Sequence, residues 1–157
     1  MKNTLSIALL ALIALTGTAL TACKKTSAPV VQENEIKMPF ATKVDGVYFV
    51  DSMAMGVLSN DTIVITADSI GQQFILRIPA DATEDMVYSM NVGEPCSFFY
   101  SFDDFATVFG NVTGSLKITR HDPVDQEIEG IFTIIATRPV PAETINITEG
   151  EFNIVYL

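Results

Sequence analysis

Three residue types in this chain are able to do chemistry: a single histidine, two cysteines and a large set of carboxylates. His121 stands in Arg120-His121-Asp122-Pro123, which reads as an exposed turn, and the neighbouring sequence offers it no helper for acid–base or metal work. Cys96 opens an alternating run in which Cys96, Phe98, Tyr100 and Phe102 fall on one face and Ser97, Phe99, Ser101 and Asp103 on the other. The spacing predicts a buried structural thiol, because a reactive one needs an accessible, electropositive setting. Carboxylates pair at Asp103-Asp104 and across Asp125, Glu127 and Glu129. None follows the calcium-loop spacing, and a catalytic pair needs a cleft and a raised pKa. They read as solvated faces and loops. There is no His/Cys cluster, no His-Glu-x-x-His, no Gly-x-Ser-x-Gly and no phosphate-cradling glycine loop. The expectation is a protein that is not an enzyme, with no catalytic residue, no metal and no cofactor.

Cys23 is different. It follows Leu20-Thr21-Ala22, with Lys2 as a short charged start, Leu5 to Leu15 as an apolar run, and small residues from Thr16 to Ala22. A membrane-spanning helix needs about 20 apolar residues. This run is shorter, is broken by Thr16-Gly17-Thr18 and ends at Lys24-Lys25. The pattern resembles the bacterial lipoprotein signal, in which the leader is removed and the cysteine becomes an acylated N-terminus. That resemblance implies lipid attachment at Cys23 and anchoring through the acyl chains, each buried methylene contributing about 0.8 kcal/mol. Cys96 would then be the one remaining thiol, too few for an internal disulfide.

Behind residues 1–22, a signal peptide on this reading, residues 23–37 hold the lipidated end and a flexible tether. From Lys24 to Lys37 the tether is polar and without period, and at about 3.3 Å per residue it would reach some 45 Å. Residues 38–157 are enough for one domain and too few for two. From Lys37 onward there are 17 acidic and 6 basic side chains, which disfavours nucleic acid and anionic lipid headgroups as partners. The expected location is the outer membrane, lipid-anchored. The resemblance to bacterial lipoproteins, whose surface-exposed members commonly carry acids just after the lipidated cysteine, implies the periplasmic side over the cell surface, because Lys24-Lys25 follow Cys23 here and the first acids are Glu33 and Glu35.

The domain reads as strands. Phe40–Val44 and Val47–Asp51 flank Asp45-Gly46, a pair suited to a tight hairpin turn. Thr62–Thr66, Gln73–Ile78, Ser97–Phe102, Ser115–Thr119, Glu127–Ala136 and Glu151–Tyr156 follow with two-residue alternation. Gly130, inside the longest, predicts a bulge or bend. Thr83–Tyr88 is the one segment that reads as a short helix. Such a count of short strands points to an all-β fold, a single antiparallel β-sandwich or flattened barrel of about eight strands.

Phe40-Ala41-Thr42-Lys43-Val44-Asp45-Gly46, with Phe49 and Asp51 after it, resembles the opening strand pair of many lipoproteins of the Bacteroidota. Gly114 to Asp122, Ile128 to Ile134 and Ile147 to Phe152 are similar to one group of them, an uncharacterised domain-of-unknown-function family. The resemblance covers most of Phe40–Tyr156, with Ala80–Gly110 its poorest stretch. It implies a cell-envelope β domain and carries over no catalytic residue.

Two further features stand out. Phe98, Phe99, Tyr100, Phe102, Phe105 and Phe109 place six aromatics within twelve residues. Half of them suffice for one core face, which makes Phe99, Phe105 and Phe109 the candidate binding surface. Asp51-Ser52-Met53, Asp61-Thr62-Ile63 and Asp68-Ser69-Ile70 match the Asp-Ser/Thr-aliphatic form that Bacteroidota O-glycosylate on exported proteins, so Ser52, Thr62 and Ser69 are candidate modification sites. The expected role is a non-catalytic structural or protein-interaction module tethered to the membrane, with an unknown envelope protein as partner. The alternative is a β-barrel that binds a small ligand such as a lipid, glycan or peptide.

The natively exported protein is expected to begin at Cys23, to carry acyl chains, and to exceed the lipidated chain by hexose-sized increments. Intact-mass spectrometry checks all three. A retained leader would refute lipidation, and a mass equal to the lipidated chain would refute glycosylation.

Overall fold

A computed structural model of the chain describes residues 37–91, 93–103, 107–109 and 111–157. The leader, Cys23 and all of the tether except Lys37 lie outside the described residues, as does Phe105.

Turn chemistry sets the strand pairings. Asp45 and Gly46 both have positive φ, 46° and 83°, as a two-residue type I′ turn demands. β1 (Phe40–Val44) therefore runs straight back as β2 (Val47–Asp51). Asn60 and Asp61, at φ 50° and 58°, do the same between β3 (Met55–Ser59) and β4 (Thr62–Ser69). β5 (Gln72–Pro79) returns from β4 over Gly71, whose φ is 70°. β6 (Val87–Ser89), β7 (Ser97–Phe102), β8 (Thr107–Phe109), β9 (Asn111–Asp122), β10 (Glu127–Pro139) and β11 (Ala142–Val155) complete the chain.

These strands form two antiparallel sheets, a six-stranded one in the order β2-β1-β11-β10-β9-β6 and a five-stranded one in the order β3-β4-β5-β7-β8. They pack as a sandwich and are not closed into a barrel, which removes the flattened-barrel alternative. One corner is stitched. The N–H of Leu58 in β3 donates to the carbonyl of Leu157 at 2.7 Å, and the N–H of Leu157 donates to that of Gly56 at 3.1 Å. No helix of the described residues is long and apolar enough to cross a membrane.

The core follows from alternation. Ile63, Ile65 and Ala67 of β4 and Phe74, Leu76 and Ile78 of β5 point inward from one sheet, and Ile128, Phe132, Ile134, Ile147, Phe152 and Ile154 from the other. Phe74 is the hub: its ring centroid lies 4.4 Å from Phe49, 4.7 Å from Tyr100, 5.4 Å from Phe40 and 5.6 Å from Phe98. Burying each such side chain contributes about 1.5–3 kcal/mol.

The six-stranded sheet makes room for these rings with glycine. Across β10 and β11, Gly130 stands opposite Phe152, and Gly150 opposite Phe132. A Cβ on Gly130 would lie 2.6 Å from the Phe152 ring and 2.8 Å from the Lys117 carbonyl; one on Gly150 would lie 2.5 Å from the Phe132 ring. The expected irregularity at Gly130 is present, since the β9–β10 register shifts between Glu129 and Gly130. A second bulge sits in β11 at Thr148-Glu149, where Glu149 has φ 51° and the register with β1 and β10 slips together.

Two expectations need correction. Thr83–Tyr88 is not a helix but a turn leading into β6. Asp85 has φ 63°, which a helix does not allow, and its N–H donates to the Ile118 carbonyl at 2.8 Å. The open edge of β9 outbids the local helix signal, because its backbone groups need partners. The strand count is also higher than about eight: β6 and β8 are three-residue edge strands too brief to show alternation, and β3 is an edge strand that is apolar without it.

Gly150→Ala is expected to destabilise the domain by about 2 kcal/mol, because the added Cβ would overlap the buried Phe132 ring and force it or the strand to shift. Thermal unfolding checks this, with Phe132→Leu in the same chain expected to restore part of the loss. Strictly additive losses would show that the ring–glycine contact is not the cause.

Candidate functional site

His121 is not in a turn. β9 continues through Asp122, so His121 lies near the strand end, half-buried, and the turn moves to residues 123–126. Its Nδ1 is 2.7 Å from the Ala82 carbonyl, so Nδ1 carries the hydrogen and donates. Nε2, 3.1 Å from the Tyr156 hydroxyl, is left to accept. Both ring nitrogens thus tie three segments of the fold together. Asp122 next to it caps the turn, accepting from the N–H groups of Asp125 and Val124, which hold its carboxyl below the usual carboxylate range. Glu127 and Glu129 both face Arg120, at 2.7 and 3.6 Å, and Glu129 also meets Lys37. Among the described residues no group of three or more His, Cys, Asp or Glu is placed to hold a metal.

Cys96 is fully buried, directly before β7. Burial, with a smaller effect from Glu94, pushes its thiol up from 9.0 to about 11.

The aromatic segment divides differently from the expected surface. Phe99 is half-buried on the outer face of the five-stranded sheet. Phe109 is fully buried, with its ring 5.8 Å from Tyr100 and 6.0 Å from Phe102, so it belongs to the core and leaves the candidate surface. The reason is that β8 pairs with β7, which turns Phe109 onto the same inner face as Tyr100. The Arg138 guanidinium lies over both Phe102 and Phe109, at 5.8 and 5.5 Å, and is paired with Glu143.

Beside this stack, a cleft of about 570 Å³ opens at the end of the sandwich that carries the β1–β2 and β4–β5 turns. Tyr100, Phe102, Ile70 and Ile145 give it apolar walls, and Asp45, Asp103 and Glu143 give it carboxylates. The Tyr100 hydroxyl donates to Gln72 Oε1 at 3.1 Å. Burial, followed by the nearby Asp45 and Glu143 charges, pushes that phenol up from 10.0 to about 12.

The largest departure from the sequence reading is a run of exposed apolar side chains on β2 and β3. Val47 and Tyr48 are each 71 % exposed, and Val50, Met53, Met55, Val57 and Leu58 are exposed with them. The signal was present: Met53 to Leu58 is apolar without alternation, which a strand with one buried face would not show. The corner between the two strands is held by Asp51, whose carboxylate accepts from the N–H groups of Met53 and Asp68, both at 2.8 Å. Of the candidate modification sites, Ser52 lies in this corner, and Thr62 and Ser69 are the two ends of β4. Ser52 and Ser69 are exposed, while Thr62 is half-buried and directs its hydroxyl at the Asn60 carbonyl.

Six- and five-stranded antiparallel sheets packed face to face define an all-β sandwich domain, marked on its surface by an apolar edge and an open cleft. The chain belongs to the DUF6252 family, a domain of unknown function, which matches it over residues 37–155. The match thus begins where the tether was expected to end. No curated protein and no solved structure matches the chain.

Cys96 and Tyr100 both keep their protons to higher pH in the folded chain than in the unfolded one. The stability they carry is whole below pH 9.0 and is lost as pH rises through about 11 and about 12. Melting temperature is therefore expected to fall steeply above pH 9, and iodoacetamide at pH 8 to label Cys96 only after denaturation. Rapid labelling of the native chain would overturn the burial argument.

Proposed function

We propose that the chain is a membrane-tethered, non-catalytic protein-interaction module of the bacterial cell envelope. The observation that carries this reading is the exposed apolar edge, Val47, Tyr48 and Val50 on β2, beside Met53 and Met55. An exposed strand edge of this kind is normally covered, charged or paired, because it is a template for another chain. Two things add support. The space between the sheets is occupied by the rings around Phe74, which argues against a ligand carried inside. The leader and Cys23 supply a tether, on which a docking surface gains effective concentration near other envelope proteins.

A second reading has one observation in its favour: the cleft walled by Tyr100 and Phe102 is large enough for a small ligand. The two separate experimentally. With a photo-crosslinking amino acid at position 50 of the full chain, made in the native envelope, a discrete adduct with one envelope protein is expected. Absence of any adduct, together with thermal stabilisation by a small ligand, would favour the cleft and overturn the first reading; a ligand at 100 times its Kd stabilises by about 2.7 kcal/mol.

A further inference from the structure

We propose that β2 is a receptor edge for strand addition, and that its occupant is an extended segment of another protein with alternating apolar residues and Lys or Arg at its ends. This rests on the interaction-module reading and specifies the partner's chemistry.

The backbone pattern selects the edge. In a two-residue hairpin the residues flanking the turn form a hydrogen-bonded pair, and such pairs recur at every second position. Val44 with Val47, Thr42 with Phe49 and Phe40 with Asp51 are therefore the bonded pairs of β1 and β2. The N–H and C=O of Tyr48 and Val50 point the other way. β2 ends the six-stranded sheet on this side, and no bond to those four groups occurs among the described residues. An antiparallel strand laid there would make four main-chain hydrogen bonds and cover the side chains of Tyr48 and Val50. The counterpart edge in the other sheet is already partly used, since β3 bonds Leu157 through Gly56 and Leu58.

Charge selects the occupant. Between Lys43 and Arg77 there is no Lys or Arg, and that stretch carries Asp45, Asp51, Asp61 and Asp68. Asp45 stands at one end of β2 and Asp51 at the other, each held in place by backbone N–H groups: Asn146 on Asp45, and Met53 and Asp68 on Asp51. Among the described residues the cation against β2 is Lys43, whose ammonium lies 4.6 Å over the Tyr48 ring and is paired with Glu149 at 2.7 Å. An acid at each end of an apolar strand fits a segment with a base at each end. It disfavours a second copy of this chain, because β2 laid antiparallel on β2 brings aspartates of the two copies within two residues of each other, and each copy carries a formal charge of −10.

The test uses the full chain in detergent and two synthetic peptides, Lys-Val-Thr-Val-Thr-Val-Lys and Glu-Val-Thr-Val-Thr-Val-Glu. The lysine-ended peptide is expected to bind about tenfold or more tightly than the glutamate-ended one at low salt, with the difference shrinking as salt rises. It should also slow amide exchange at Tyr48 and Val50. Val50→Pro removes one outward N–H and leaves the β1 ladder intact, because the Val50 N–H does not face β1. It is expected to weaken binding about tenfold. Val50→Lys keeps the backbone and adds a like charge, and should weaken the lysine-ended peptide alone if the proline variant does not fold. No binding at millimolar peptide, equal binding of both peptides, exchange protection elsewhere, or self-association of the chain lost on Val50→Pro would each overturn the proposal. A photo-crosslinked adduct made from position 48 that survives Val50→Pro would overturn strand addition and leave the interaction-module reading standing.

Discussion

The aromatic layer centred on Phe74 is the constraint from which the rest of the domain follows. Rings from both sheets converge on it, and two of their neighbours, Phe132 and Phe152, fit only because the residue across the strand pair is glycine. A glycine gives up side-chain packing and costs backbone entropy in a strand, yet here the ring opposite covers the exposed backbone and restores the contact. The bulges next to Gly130 and Gly150 bend the long strands around this layer. Sheet curvature, strand length and core composition are thus one solution to a single packing problem.

A sandwich that does not close leaves edges, and the domain treats them unequally. β6 and β8 are only three residues long. β3 shares hydrogen bonds with the chain's last residues. Among the described edge strands, β2 alone combines outward backbone groups with exposed apolar side chains and a flanking acid at each end. Short or covered edges are the usual defence against unwanted pairing. The difference in treatment, more than the exposure of any single side chain, sets the β2 edge apart from the other described edges.

Most of the fold was readable because local chemistry and long-range packing agree. Asp45-Gly46 specifies a turn whatever lies around it, and the alternation of Leu116 and Ile118, or of Phe152, Ile154 and Tyr156, marks a half-buried strand before any partner is known. Where a distant partner decided the outcome, the reading failed. Thr83-Glu84-Asp85 has the residues of a helix start, but the edge of β9 drew the following segment into a strand. His121 sits where a polar run before Pro123 suggests a turn, yet Ala82 and Tyr156, far away in sequence, hold it inside a longer strand. Phe109 looked available beyond an acidic pair and is packed on Tyr100.

From the residues alone came the Asp45-Gly46 turn, the inner face of the strand segments that alternate, the buried state of Cys96 and the all-β class, because these depend on alternation and backbone preference within a few neighbours. Tertiary structure decided the strand order, the choice of sandwich over barrel, the partners of His121 and the free edge of β2. Those depend on which surfaces meet across the molecule. An edge, in particular, is defined by the strand that is missing beside it, and no local sequence pattern encodes an absent neighbour.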